Sequence, residues 1–411
     1  MLHTAALALP LLAACTYATP VASPISYESG SGVPDAEGKA LPARDLEVRQ
    51  NGKFRFFDMK TPLSGPCDMA FNPADGLLYG EQQFINQLFS IDTVSGQVTE
   101  YPIPVTPFNQ NNATPIFSLP GAGIIPSPLG DRLALSCAIR DGADGNIYAS
   151  NGLRNQLVQL KTSDKSIRVF QTNEDGQSSN PLGNLFPFND LWTDKDGMWV
   201  TQTTGLVLQY FRYSTQRFTN YKVFSINELP LGVYVASDGI VYGCLVLGNA
   251  MFTFDPKTEK YTEYPLPLLA GLQSPAVVRV EKDGWVYFTT LFGRGQGRIN
   301  MKSKKIELYP TDKLLGFGSV NTGPTPGGNG GSWMSFFLTN DQLARLDTKT
   351  LKYTYVQMPP EFSNAPNAVP ANLPIDIGTA NIAVNYKPGN NLYFSSALRN
   401  QVVQYALGPD E

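Results

Sequence analysis

Short runs of alternating apolar and polar residues recur along the chain between tight-turn signals, the pattern of half-buried β-strands. One aromatic run returns seven times: LLYGEQ (77–82), NIYASN (146–151), MWVTQT (198–203), IVYGCL (240–245), WVYFTT (285–290), SWMSFF (332–337) and NLYFSS (391–396). Asp75-Gly76, Asp144-Gly145, Asp196-Gly197, Asp238-Gly239 and Asp283-Gly284 precede the first five, and Gly328-Asn329-Gly330 and Gly389-Asn390 precede the last two. Asp-Gly between apolar runs predicts a two-residue hairpin of type I′. Further turns are expected at Val94-Ser95-Gly96, Ser163-Asp164-Lys165, Ser214-Thr215-Gln216, Pro256-Lys257-Thr258, Lys302-Ser303-Lys304 and Thr348-Lys349-Thr350. Each leads into an outer strand such as VTEYPIP (98–104) or KYTEYPLP (260–267).

Four strands per unit, repeating every 42 to 69 residues, predict the blades of an all-β propeller. The last unit ends at QVVQYAL (401–407) without a fourth strand, and 53–60 reads as an orphan strand that completes it. The expected fold is therefore a seven-bladed β-propeller over 51–408, closed by an N-terminal strand that covers an exposed edge. Residues 19–50 read as a polar, flexible lead-in.

Composition narrows the function. The chain has 411 residues, 42% hydrophobic and 16% charged, with a net charge of -4. No basic run of the kind nucleic acid requires is present, and no apolar stretch beyond the N-terminus is long enough to span a bilayer. Residues 1–18 read as a signal peptide with an apolar centre at 7–14 and cleavage near Ala18 or Ala22, which implies secretion. Leu12-Ala-Ala-Cys15 also resembles a lipoprotein signal. Asn112-Ala113-Thr114 is a glycosylation sequon. Cleavage leaves Cys67, Cys137 and Cys244. The first two hold equivalent places in adjacent units and are expected either to bridge or to remain small buried residues. The only histidine is His3, inside the signal, so a mature chain has no histidine base, triad or metal ligand.

Long insertions at 105–132, 171–186 and 358–379 fall on connections between successive units, on one face of the ring. Binding is expected there, with apolar contacts from Phe188 and Phe292 and from Trp333. Polar candidates at the starts of inner strands are Asp68, Asn189, Asp190, Asn321 and Asn381. At the ends of second strands and in the loops after them stand Glu81, Gln82, Asn151, Arg154, Gln202, Arg294, Arg298, Ser335, Ser396 and Arg399. Asp68, Glu81 and Arg294 are the catalytic candidates, with Asn151, Asn189, Gln202, Asn321, Asn381, Phe188, Phe292 and Trp333 contacting substrate. Arg294 lies in Gly293-Arg-Gly-Gln-Gly297, a loop unlike its counterparts; Arg154 and Arg399 sit in the repeated Leu-Arg-Asn-Gln motif and read as architectural.

Ile91-Asp-Thr-Val-Ser-Gly-Gln-Val-Thr-Glu-Tyr-Pro102 and Phe254-Asp-Pro-Lys-Thr-Glu-Lys-Tyr-Thr-Glu-Tyr-Pro265 carry a blade pattern similar to the virginiamycin B lyase family. That resemblance implies the propeller fold. The family's histidine base beside magnesium has no counterpart in the mature chain, so its mechanism does not carry over. Gluconolactonase-type propellers hold a divalent ion through Glu, Asn and Asp, a set that Glu81, Asn151, Asn189 and Asp190 imitate. In overall organisation the chain resembles the secreted fungal hetero-Diels–Alderases of tropolone sesquiterpenoid biosynthesis, and a propeller protein of trichothecene clusters. This likeness implies loss of water from a hydroxymethyl tropolone to give an o-quinone methide, and its addition to a humulene-type olefin, without metal or cofactor. Small apolar terpenoid or polyketide substrates are then the expected partners. A metal-dependent lyase or lactonase, and a secreted propeller that binds without chemistry, are the alternative readings.

Overall fold

The computed structural model describes residues 49–62, 64–104, 137–151, 156–172, 190–268, 271–293, 295–311, 317–321, 331–337, 342–359, 381–387, 391–397 and 399–408. These form seven antiparallel sheets and no helix. Two strands, β1 (Arg49–Asn51) and β2 (Phe54–Asp58), precede the repeats. Blade 1 is β3 (Pro66–Phe71), β4 (Leu78–Gln82), β5 (Gln87–Ile91) and β6 (Val98–Pro102). Blade 2 is β7 (Ile139–Asp141), β8 (Ile147–Asn151), β9 (Gln156–Leu160) and β10 (Ile167–Gln171). Blade 3 comprises β11 (Asp190–Thr193), β12 (Gly197–Gln202), β13 (Val207–Arg212) and β14 (Arg217–Val223). In blade 4 follow β15 (Pro230–Val235), β16 (Val241–Leu245), β17 (Ala250–Asp255) and β18 (Lys260–Pro265). Blade 5 contains β19 (Pro275–Lys282), β20 (Trp285–Thr290), β21 (Gly295–Asn300) and β22 (Ile306–Pro310). Blade 6 is built from β23 (Phe317–Asn321), β24 (Gly331–Phe337), β25 (Gln342–Asp347) and β26 (Tyr353–Gln357). Blade 7 has only β27 (Asn381–Lys387), β28 (Asn391–Ser396) and β29 (Gln401–Ala406) of its own.

The N-terminal β2 supplies the missing fourth strand, pairing with β29 from Phe54↔Tyr405 to Asp58↔Gln401. β1 adds a fifth strand outside it. The connector that leaves β2 is held from both sides. Asn400 Oδ1 accepts from Ser64 N and Oγ, each at 2.8 Å, and from Gly65 N at 3.0 Å. Glu100 accepts from Lys60 N, Thr61 N and Thr61 Oγ1.

Each blade buries apolar side chains on both faces because it packs between two others. The aromatic residue of the second strand lands in the same buried slot each time: Tyr79, Tyr148, Trp199, Tyr242, Tyr287, Trp333 and Tyr393. Burying one such side chain contributes about 1.5–3 kcal/mol. Trp333, expected at the mouth, is instead fully buried in the core between blades 6 and 7, with Leu343, Leu392, Val403 and Tyr405. Its slot is set by the strand period, which points it at the neighbouring blade.

The turns differ in kind from the expected type I′ hairpins. Only Asp283-Gly284 has both residues left-handed, at φ 50° and 76°. At Gly76, Gly145 and Gly239 the glycine alone is left-handed, closing a longer loop, as Ala236 N→Ile240 O shows. Asp196-Gly197 has no left-handed residue, and Gly197 already belongs to β12. The outer turns are four-residue loops whose last residue is left-handed: Gly96, Lys165, Gln216, Glu259, Lys304 and Leu351. Two of these lie one residue beyond the expected turn. The aspartate of the repeated Ile-Asp pattern caps this loop: Asp92 Oδ1 accepts from Val94 N and Asp255 Oδ1 from Lys257 N, each at 2.9 Å.

Candidate functional site

Inner strands from four blades meet at the ring axis. Asp68 lies on β3, Arg140 on β7, Asp190 on β11 and Arg279 on β19. Arg140 Nη1 is 2.5 Å from Asp68 Oδ2, and its Nη2 is 3.3 Å from Asp190 Oδ1. Arg279 forks onto Asp190, Nη1 to Oδ2 at 2.5 Å and Nη2 to Oδ1 at 2.6 Å, and its Nη2 lies 3.8 Å from Asp68. Residues of blades 1, 2, 3 and 5 touch only because the network crosses the central channel. The four side chains are 2–8% exposed, and their charges cancel. Both guanidiniums also lie over the Trp192 ring, 5.4 and 5.6 Å from its centroid. Burial works against the charge of Arg140, but Asp68 and Asp190 outweigh it and raise its pKa. The thiol of Cys244 beside this network is pushed well up by burial and by Asp190.

The strand twist and alternation explain this meeting. Asp68 and Asp190 occupy equivalent positions near the starts of their strands, and Arg140 and Arg279 sit two residues further along theirs, on the same side. The aspartates also close the ring locally. Asp190 Oδ2 accepts from Val233 N in blade 4 and Oδ1 from Leu191 N, each at 2.9 Å; Asp68 Oδ1 accepts from Met69 N. Cys67 and Cys137, one residue before Asp68 and its blade 2 counterpart, form a disulfide with Cα atoms 5.3 Å apart.

Several site candidates have structural partners. Glu81 is buried and its Oε2 accepts from Ala138 N at 2.7 Å, joining blade 1 to blade 2. Asn151 Nδ2 donates to Asn86 Oδ1 at 2.8 Å, and Gln202 Nε2 donates to Gln209 Oε1 at 2.5 Å; both are buried. Arg298 is away from the mouth, forked onto Glu307 at 2.7 and 3.0 Å and stacked 4.0 Å from the Trp285 centroid. Ser335 and Ser396 are buried on their strands. Asn321 ends β23 opposite Met334, and Asn381 opens β27 opposite Ser396. Arg154, Phe188, Asn189, Arg294, the sequon Asn112 and most of the three insertions lie outside the described residues.

Arg140 and Arg279 escaped the sequence reading. Their signal was an arginine inside an otherwise apolar inner strand, Ile139-Arg140 and Val278-Arg279.

The loops above this plug carry exposed apolar side chains. Leu268 is 68%, Leu272 50% and Phe292 36% exposed. They sit on the connection from blade 4 to blade 5 and on the loop after β20. The two loops are stitched together by Phe292 N→Gln273 O and Leu291 N→Ser274 O at 3.2 and 2.9 Å. Ile226, on the connection from blade 3 to blade 4, is also exposed. Among the described residues, no group of three or more histidine, cysteine, aspartate or glutamate side chains is placed to hold a metal ion. No helix there is long and apolar enough to cross a membrane.

No family model matches the chain, and no curated protein matches it. Solved structures do. A streptogramin B lyase aligns with a TM-score of 0.66 at 17% identity, covering 86% of this chain and 97% of its own. Virginiamycin B lyase from Staphylococcus aureus aligns at 0.65 and 14% identity, covering 86% and 99%. The WD40 repeats of RRP9 align at 0.60 and 7% identity, covering 88% and 99%. Enzymes and WD40 repeats thus share this scaffold, and at these identities the likeness is one of fold: the chain is a seven-bladed β-propeller of the virginiamycin B lyase-like shape.

Proposed function

We propose that this protein is a secreted enzyme that binds an apolar small molecule at the mouth over blades 3 to 5 and cyclises it without a cofactor. The reaction that fits is a hetero-Diels–Alder addition. A hydroxymethyl tropolone loses water to an o-quinone methide, whose C=C–C=O unit adds across an olefin of a humulene-type sesquiterpene. One C–C and one C–O bond form, giving a dihydropyran. The observation that carries this reading is the exposed apolar edge of Leu268, Leu272 and Phe292 above a channel floor whose charges are already neutralised.

Such a mouth favours catalysis by placement. Holding diene and olefin together supplies up to about 7–11 kcal/mol, and a donor on the tropolone carbonyl stabilises the oxygen as charge shifts to it. Arg294, two residues after Phe292, is the donor in this reading. Asp68 and Glu81, engaged as they are, hold the floor and the blade 1–2 seam in place. Their engagement also supports the second reading, a propeller that binds such molecules without turnover.

The test is incubation of the purified protein with a quinone-methide precursor and humulene, with and without EDTA, read by mass spectrometry and chiral chromatography. The expected result is one adduct enantiomer, formed above background and unaffected by EDTA. Phe292→Ala should lower the rate at least tenfold with an unchanged melting temperature. Racemic product at background rate, with binding that depends on Phe292, would establish the binding reading. Activity lost to EDTA would establish a metal-dependent lyase or lactonase.

A further inference from the structure

Four buried side-chain amides have an oxygen that no donor among the described residues reaches: Gln82 Oε1, Asn151 Oδ1, Gln202 Oε1 and Gln296 Oε1. The first three end β4, β8 and β12, the same place in three successive blades. Their orientations are fixed by what each NH2 must meet. Gln82 Nε2 donates to Glu100 Oε1 at 2.8 Å, a carboxylate oxygen, and to Ser64 Oγ at 2.9 Å. Asn151 Nδ2 meets Asn86 Oδ1, and Asn86 spends its own Nδ2 on the Ile103 carbonyl. Gln202 Nε2 meets Gln209 Oε1, and Gln209 donates to the Thr172 carbonyl. Gln296 Nε2 donates to the Ser332 carbonyl at 2.9 Å. Turning any of these amides over would set its oxygen against another acceptor.

A buried acceptor left without a donor costs about 1–3 kcal/mol. Four such costs, three at one repeated position, are not what a folded chain retains without a compensating partner. We propose that each of these oxygens binds an ordered water molecule, sealed in the seams beside blades 1, 2, 3 and 5. Water suits the sites because it donates to the amide oxygen and is small enough for a closed seam. The equivalent positions in blades 4 and 5 are built differently. Leu245 has no polar atom there, and Thr290 Oγ1 is paired with Gly295 N and O at 3.2 and 3.1 Å. Those places in the ring offer no unpaired amide oxygen to a water. Asn151 and Gln202 then serve seam hydration, while contact with substrate falls to the loops above.

High-resolution X-ray or neutron diffraction from crystals of the full chain tests this. One water at hydrogen-bonding distance from each of the four oxygens, and none beside Leu245, is the expected result. Empty density, an inverted amide, or a donor of the chain itself on these oxygens would overturn it. Crystals of Gln202→Leu should lose one water and keep the other three; a water that persists there would overturn the assignment to Gln202. If that variant does not fold, the parent crystals alone decide.

Discussion

Aspartates do two different jobs at the two ends of the inner strands. At the mouth end, Asp68 and Asp190 are buried and bind arginines from distant blades. At the turn end, Asp75, Asp144 and Asp238 act within a few residues: each caps its own turn and binds the tyrosine four positions on, at 2.5, 2.8 and 3.1 Å. The lower rim is thus a local device copied from blade to blade, while the axis is one non-local device made once. The lower rim also reaches across seams, with Lys165 to Asp75 and Tyr79, Lys304 to Tyr242, Asn72 Nδ2 to the Gly145 carbonyl and Ser237 to Glu281.

The sharpest way to break this contrast is Asp190→Ala. It leaves two buried guanidiniums short of a partner, and a loss of about 3–5 kcal/mol is expected in equilibrium denaturation. A loss no larger than that of a turn aspartate would mean that the axis is not a special element. Asp75→Ala removes a turn cap and one tyrosine partner, and should cost about 1 kcal/mol by the same measurement. Leu351→Gly should act in the opposite direction. Leu351 sits at φ 59°, where a side chain is strained and glycine is not, so a gain of about 0.5–1 kcal/mol is expected.

The smallest effect separates a half-exposed ion pair from the buried one. Lys305, Tyr309 and Arg298 hold the Glu307 carboxyl down to about 2 from its usual 4.5. A depressed carboxylate contributes stability that is complete above pH 4.5 and lost as pH falls through about 2. Parent protein should therefore exceed Glu307→Gln by about 0.5–1 kcal/mol at pH 6, with the gap closing in acid denaturation as the pH approaches 2. A gap independent of pH would contradict the ionic origin.

Local devices are the ones a sequence displays. The aromatic slot returns at every unit, Asp-Gly turns at five of the seven and the aspartate cap at several, so blade number and ring closure were legible from their repetition. The turn types were less so, because Asp-Gly suits both a two-residue hairpin and the left-handed end of a longer loop. The axis was not legible. Asp68 and Asp190 were visible as polar residues at strand starts, yet nothing nearby in sequence shows that Arg279 lies against them, 89 positions from Asp190. The partner of Glu81 was hidden for the same reason, since it is the backbone of Ala138, 57 positions away.

Ring closure by β2 also sets a clock. Lys53 and Tyr405 are 352 residues apart, and at the usual 5–20 residues per second β29 follows β2 out of the ribosome by about 20–70 s. For that interval Phe54, Phe56 and Phe57, all buried in the finished ring, have the short β1 but not β29 as a partner strand. A strand made before every blade is thus completed by the last strand made, so the yield in a cell depends on how well those three aromatic residues are shielded while they wait.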